Sequence, residues 1–134
     1  MKKLSFLMLV PVLLSASCEK DKNEEPKLDA GKGGTATLKL TTQHHSAYID
    51  SCMVYIAYNT LDAVEEFDDS MKVSLIDGKP QAIFTNLKNG DYYVYGEGYD
   101  PGIFEVVKGG IPVKVRDQDS TYDYILPVTE DSGH

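Results

Sequence analysis

The chain has 134 residues, with 13 Lys and Arg against 21 Asp and Glu, a formal net charge of −8. That length suits one domain and is short for two. The acidic balance excludes nucleic acid as a partner, because a phosphate backbone rewards a basic surface. Nine Tyr, four Phe, no Trp and 11 Gly point to β-structure with tight turns rather than a helical bundle.

The chain opens with Lys2 and Lys3, an apolar run over 4–14, and then the small residues Ser15, Ala16 and Ser17 before Cys18. That is the layout of a secretory signal peptide over 1–17. Its apolar run is shorter than the roughly 20 helical residues needed to span a bilayer. The string Leu14-Ser15-Ala16-Ser17-Cys18 resembles a bacterial lipobox, which implies cleavage before Cys18 and lipidation of that residue. The membrane partner is then reached through the lipid on Cys18. Residues 18–32 begin Cys18-Glu19-Lys20-Asp21-Lys22-Asn23-Glu24-Glu25-Pro26, which has no apolar side chain to anchor a fold, so the segment is predicted to be a flexible acidic tether. An acidic stretch directly after the lipidated Cys is similar to the surface-export signal of Bacteroidetes-type lipoproteins. The resemblance implies an outer-membrane lipoprotein facing the cell surface, with the periplasmic face as the alternative. Cleavage would remove Lys2 and Lys3, leaving 11 basic residues against 21 acidic ones, a net charge of −10. With Cys18 lipidated, Cys52 has no partner within the chain and reads as a buried, inert thiol on a strand.

From Gly33 onward the dominant period is two, and residues 33–130 are predicted to form the folded domain. Thr35 to Thr41 alternates with Ala36, Leu38 and Leu40 on one face. Residues 51–58 give a second strand. Residues 71–76 and 81–85 flank Asp77-Gly78-Lys79-Pro80, where Asp-Gly is a strong hairpin signal. Residues 92–99 form another strand, 103–107 and 111–115 are joined through Lys108-Gly109-Gly110, and 121–128 closes the domain. Between the second and third runs, Leu61, Val64 and Phe67 fall at helical spacing, which predicts a short helical insertion near 60–70. The expected fold class is all-β: an antiparallel β-sandwich of seven to eight strands.

Asn89-Gly90 suits a plain hairpin. The spacing of Leu87, Gly90 and Tyr92 instead resembles the tyrosine corner of Greek-key sandwiches, with Tyr92 as the structural tyrosine. The block Phe84-Thr85-Asn86-Leu87-Lys88-Asn89-Gly90-Asp91-Tyr92, with Gly98-Tyr99 after it, is similar to prealbumin-like (transthyretin-like) modules, above all carboxypeptidase regulatory-like domains. The resemblance implies a Greek-key sandwich with an accessory or binding role, and it transfers no catalytic residue.

Tyr93, Tyr95, Glu97 and Tyr99 share one face of their strand, because i and i+2 point the same way. An exposed row of this kind suits stacking on a glycan or contact with a protein partner. The same row is equally accounted for if it packs under the 60–70 insertion. His44 and His45 are adjacent, which on a strand sends them to opposite faces and argues against one shared metal; a loop over 43–47 would relax that restriction. They read first as surface or turn histidines, with a metal or haem carrier through His44 or His45 as the alternative. His134 is terminal. The acidic groups Asp62, Glu65, Glu66, Asp68 and Asp69, and Asp117-Gln118-Asp119, do not follow the EF-hand pattern and read as solvated loops and a turn.

Prealbumin-like enzymes exist, but this chain lacks the separated His-x-His of intradiol dioxygenases and the terminal Tyr-Arg-Gly-Ser motif of hydroxyisourate hydrolases. Arg116 is its single Arg. No nucleophile elbow, zincin motif or phosphate loop is present. The sequence therefore predicts a monomeric, non-enzymatic binding module without a cofactor; a structural unit of a surface assembly is a further possibility.

Overall fold

The computed structural model describes residues 28–131; the segment 1–17 expected to be a signal peptide, Cys18, the acidic run after it and His134 lie outside the described residues. Ten strands are present among the described residues, and no helix. They are β1 (Lys32–His44), β2 (Ala47–Tyr48), β3 (Cys52–Tyr58), β4 (Asp69–Lys72), β5 (Ser74–Ile76), β6 (Lys79–Leu87), β7 (Gly90–Asp100), β8 (Glu105–Val115), β9 (Thr121–Pro127) and β10 (Thr129–Glu130).

The strands form two sheets. In the first, β1 lies between β6 and β9, with β5 beyond β6 and the short β2 paired to the end of β1. The second runs β10-β8-β7-β3-β4. Alternation explains why the sheets stack. Ala36, Leu38 and Leu40 of β1, Ala82 and Phe84 of β6, and Leu126 of β9 form one inner face. Val54 and Ile56 of β3, Tyr92 and Val94 of β7, and Val107, Val113 and Val115 of β8 form the other. All belong to a single buried cluster. A sandwich is how two one-sided apolar sheets remove those faces from water.

Four local expectations are corrected. First, β1 and β9 pair in parallel, from Thr37↔Thr121 to Gln43↔Pro127, so the first sheet is mixed; every other pairing is antiparallel. Second, the 60–70 insertion is irregular rather than helical. Its polar side chains bond local backbone in place of a helical ladder. Thr60 Oγ1 accepts the Asp62 N–H at 3.1 Å, and the Asp68 carboxylate accepts the Tyr58 N–H at 2.7 Å. Third, the two runs join into one continuous strand, β8, through Lys108-Gly109-Gly110, while residues 103 and 104 lie in the turn before it. Gly109 is needed there for close approach to backbone, and Gly110 lies under the end of the Tyr93 ring. A Cβ on Gly109 would lie 2.4 Å from the Pro127 carbonyl oxygen, and one on Gly110 would lie 2.3 Å from Tyr93 Oη. Fourth, the folded part begins before residue 33. Ala30 is buried, its N–H donates to Asn59 Oδ1 at 2.8 Å, and Lys32 already belongs to β1.

The run 71–76 divides between the sheets. Val73 turns its side chain into the core and its N–H donates to the Cys52 carbonyl at 3.0 Å. The β5–β6 turn has positive φ at both Asp77 (54°) and Gly78 (80°), the requirement of a type I′ hairpin.

Candidate functional site

Two places gather chemistry-bearing side chains. The first is the outer face of the second sheet. β7 buries Tyr92, Val94 and Gly96 and turns Tyr93, Tyr95, Glu97 and Tyr99 outward. Tyr55 of β3 stands directly opposite Tyr95, with ring centroids 6.1 Å apart. The loop between β3 and β4 lays Phe67 over both, 5.3 Å from Tyr55 and stacked on Tyr95 at 5.7 Å and 17°. Backbone anchors hold the loop in place: Asn59 N–H donates to the Asp91 carbonyl at 2.7 Å and Asp68 N–H to that of Ile56 at 2.9 Å.

The outward row is thereby divided. Tyr95 is half-buried beneath Phe67, and its hydroxyl stands 3.5 Å from Glu97 Oε1. Burial first, and then the Glu97 charge, raises its pKa. Tyr93 leans over Gly110. Tyr99 lies four residues beyond Tyr95, about 13 Å along the strand, exposed beside its cross-strand partner Val106. Beside the three-ring cluster a groove of about 440 Å³ is lined by Tyr55, Phe67, Asp68, Asp69 and Ser70. The sequence marked Phe67 only as part of the 60–70 insertion under which the row could pack, and Tyr55 only as a strand residue. Tyr55 has the right strand parity to join Tyr95, but the strand order that makes them neighbours is not written locally.

Tyr92 lies on the inner face with no exposed surface. Its hydroxyl accepts the Gly31 N–H at 2.8 Å and donates to the Lys88 carbonyl at 2.7 Å. Its ring meets Tyr58 edge-on at 5.7 Å. Arg116 is committed nearby, donating to the Gly90 carbonyl at 2.9 Å and to Asp91 at 2.7 Å. The Asp117–Ser120 segment is a turn, with Gln118 bonded to Thr35, Leu87 and Asn89.

The second place is the end of the sandwich where β1, β7 and β10 meet. His44 continues the inward register of β1 and is buried, not a surface histidine. Its Nδ1 lies 2.7 Å from Asp100 Oδ2 and its Nε2 lies 2.6 Å from Glu130 Oε1. Asp100 also accepts the Gly102 N–H at 2.8 Å. The hydrogen bond to Asp100 is the chief cause that raises the His44 pKa, with Glu130 adding to it and burial opposing it. Asp100 is lowered in turn, chiefly by His44; Glu130 is lowered first by its own backbone N–H and then by His44.

His45 occupies the two-residue turn between β1 and β2 at a φ of 59°. That left-handed conformation breaks strand alternation, so its ring lies 4.3 Å from that of His44 rather than on the opposite face. Strand parity would put the two rings on opposite faces, and the turn at His45 relaxes that restriction as a loop over 43–47 was expected to. Asp100 and Glu130 were missed because they are distant in sequence and only the sheet topology brings them to His44.

Cys52 is buried beneath this end of β3, and burial raises its pKa to about 11, partly offset by hydrogen bonds from the Glu97 backbone and Thr42. No protein-family profile, no curated protein and no solved structure matches the chain.

Proposed function

We propose that this chain is a non-enzymatic, lipid-anchored binding module of the outer membrane, carried at the cell surface on a lipidated Cys18, and that its ligand is a glycan. The observation that carries the ligand assignment is the Tyr55–Phe67–Tyr95 cluster beside a groove edged by Asp68, Asp69 and Ser70. Aromatic faces take the C–H face of a sugar ring, and carboxylates and a hydroxyl at the rim accept and donate to its hydroxyl groups. The Greek-key, prealbumin-like assignment belongs to the same reading. Support for it comes from the chain crossing between the sheets at β2–β3, β4–β5, β6–β7, β8–β9 and β9–β10 and from Tyr92 bonding back to Lys88 as a tyrosine corner would.

The test is a glycan array probed with the full chain, followed by titration of each hit against Tyr95→Ala and Tyr55→Ala. Each substitution is expected to weaken binding at least about tenfold, the worth of one good aromatic contact. Hits that bind both variants as tightly as the parent protein would refute the groove. Intact mass of the membrane fraction checks the anchor, since Cys18→Ala is expected to abolish acylation.

A further inference from the structure

The His44 end of the sandwich is separate from the aromatic groove and has a chemistry of its own. We propose that His44, His45 and Glu130 bind one divalent transition-metal ion of the Zn²⁺ class, with Asp100 positioning His44. One ligand atom from each of His44, His45 and Glu130 lies within 4.8 Å of the others. Two imidazoles and a carboxylate are the donor set of three-ligand zinc sites, which keep a fourth position for water or an incoming group. Nitrogen donors favour Zn²⁺ and its transition-metal neighbours over Ca²⁺ and Mg²⁺, which take oxygen.

Three features make this more than proximity. The Nδ1 contact with Asp100 is what metal-binding histidines use to fix the tautomer and turn the other nitrogen toward the ion. Asp100 is itself held by the Gly102 N–H, so the imidazole of His44 is locked before any ion arrives. The left-handed turn at His45 carries the second imidazole to the same side. Glu130 is the adjustable member, its side chain 40% exposed on the two-residue β10. An ion bonded at about 2.0–2.2 Å to each atom needs Nε2 and the carboxylate oxygen roughly 3.1–3.5 Å apart. They are now 2.6 Å apart, and a half-exposed glutamate can withdraw by that difference. The ion thus takes the place of the hydrogen between them.

The experiment uses the untagged full chain, stripped with chelator and titrated with ZnCl₂ by calorimetry and with CoCl₂ by visible absorption. The expected result is one equivalent of Zn²⁺ per chain, ligand-field bands with Co²⁺, and no uptake of CaCl₂. His45→Asn keeps a residue that tolerates positive φ, and Glu130→Gln keeps the side-chain shape. Both are expected to bind at least about tenfold more weakly with unchanged circular dichroism. Asp100→Asn leaves all three ligands in place and is expected to lower affinity by about 10–100-fold at the same stoichiometry. Absence of one-equivalent uptake, or affinity unchanged in both His45→Asn and Glu130→Gln, would overturn the proposal and leave a structural ion cluster only. Neither result bears on the glycan groove, which Tyr55 and Tyr95 test independently.

Discussion

Replacing Tyr92 by Phe removes one oxygen from the centre of the domain and nothing else. That oxygen accepts the Gly31 N–H at 2.8 Å and donates to the Lys88 carbonyl at 2.7 Å. Gly31 is buried and its side of the chain is packed against Tyr58, so the stranded N–H has no ready substitute. A buried donor without a partner costs about 1–3 kcal/mol, whereas the part-buried Lys88 carbonyl recovers some of its loss from water. A net loss of about 2 kcal/mol follows. An unfolding entropy of roughly 2.1 cal/mol/K per residue, over about 100 folded residues, makes that a fall in Tm of about 10 °C. Thermal and urea unfolding followed by circular dichroism measure it directly. Tyr99→Phe, at the exposed end of the same strand, is the control and should stay within about 0.5 kcal/mol of the parent. If Tyr92→Phe also stays within that margin, the hydroxyl is not pinning the first strand to the β6–β7 crossover and the energetic reasoning is wrong.

Cys52 should be silent toward thiol reagents. With its pKa near 11, almost no thiolate exists at pH 8, and the rate should rise with pH toward that value. Rapid stoichiometric modification of the native protein by a chromogenic disulfide at pH 8 would contradict this, while full reaction in denaturant is expected. Phe104, 78% exposed, sits at a φ of 58° in the β7–β8 turn. Phe104→Asn should stabilise the domain by about 0.5–1 kcal/mol, because Asn tolerates that backbone region and little packing is given up. An unfolding midpoint that drops instead would mean the ring makes contacts worth more than the strain.

The alternating runs of β1, β3, β6 and β7 were legible because each buries one face only, and the period of two survives in the residues themselves. The Asp77-Gly78 turn was legible because its backbone geometry demands those residue types. The division of 71–76 at Val73 was not, since a strand changing sheets carries the same apolar alternation as one that stays. Gly109 and Gly110 misled in the opposite direction. Glycine marks turns, but here it marks the approach of Pro127 and Tyr93, a fact about neighbours on other strands. The parallel β1–β9 pairing is invisible to local pattern for the same reason. At the candidate sites, Tyr95 and a cover from the 60–70 insertion were visible, but the choice of Phe67 as that cover and the pairing with Tyr55 were not. The histidine pair was visible, but the backbone sign at His45 that reunites the rings was not, because strand parity says nothing about a residue placed in the turn.

The parallel pairing of β1 with β9 joins Thr37 to Thr121, so one edge of the first long strand waits for residues 84 positions later in the chain. Leu126 and Val128, both buried, arrive with them. A nascent chain lacking this closing segment has an open core and an unpaired edge, and contacts of such sequence separation form slowly. Closure of the first sheet is therefore a late event in folding, set by the arrival of β9 and not by the strands made before it.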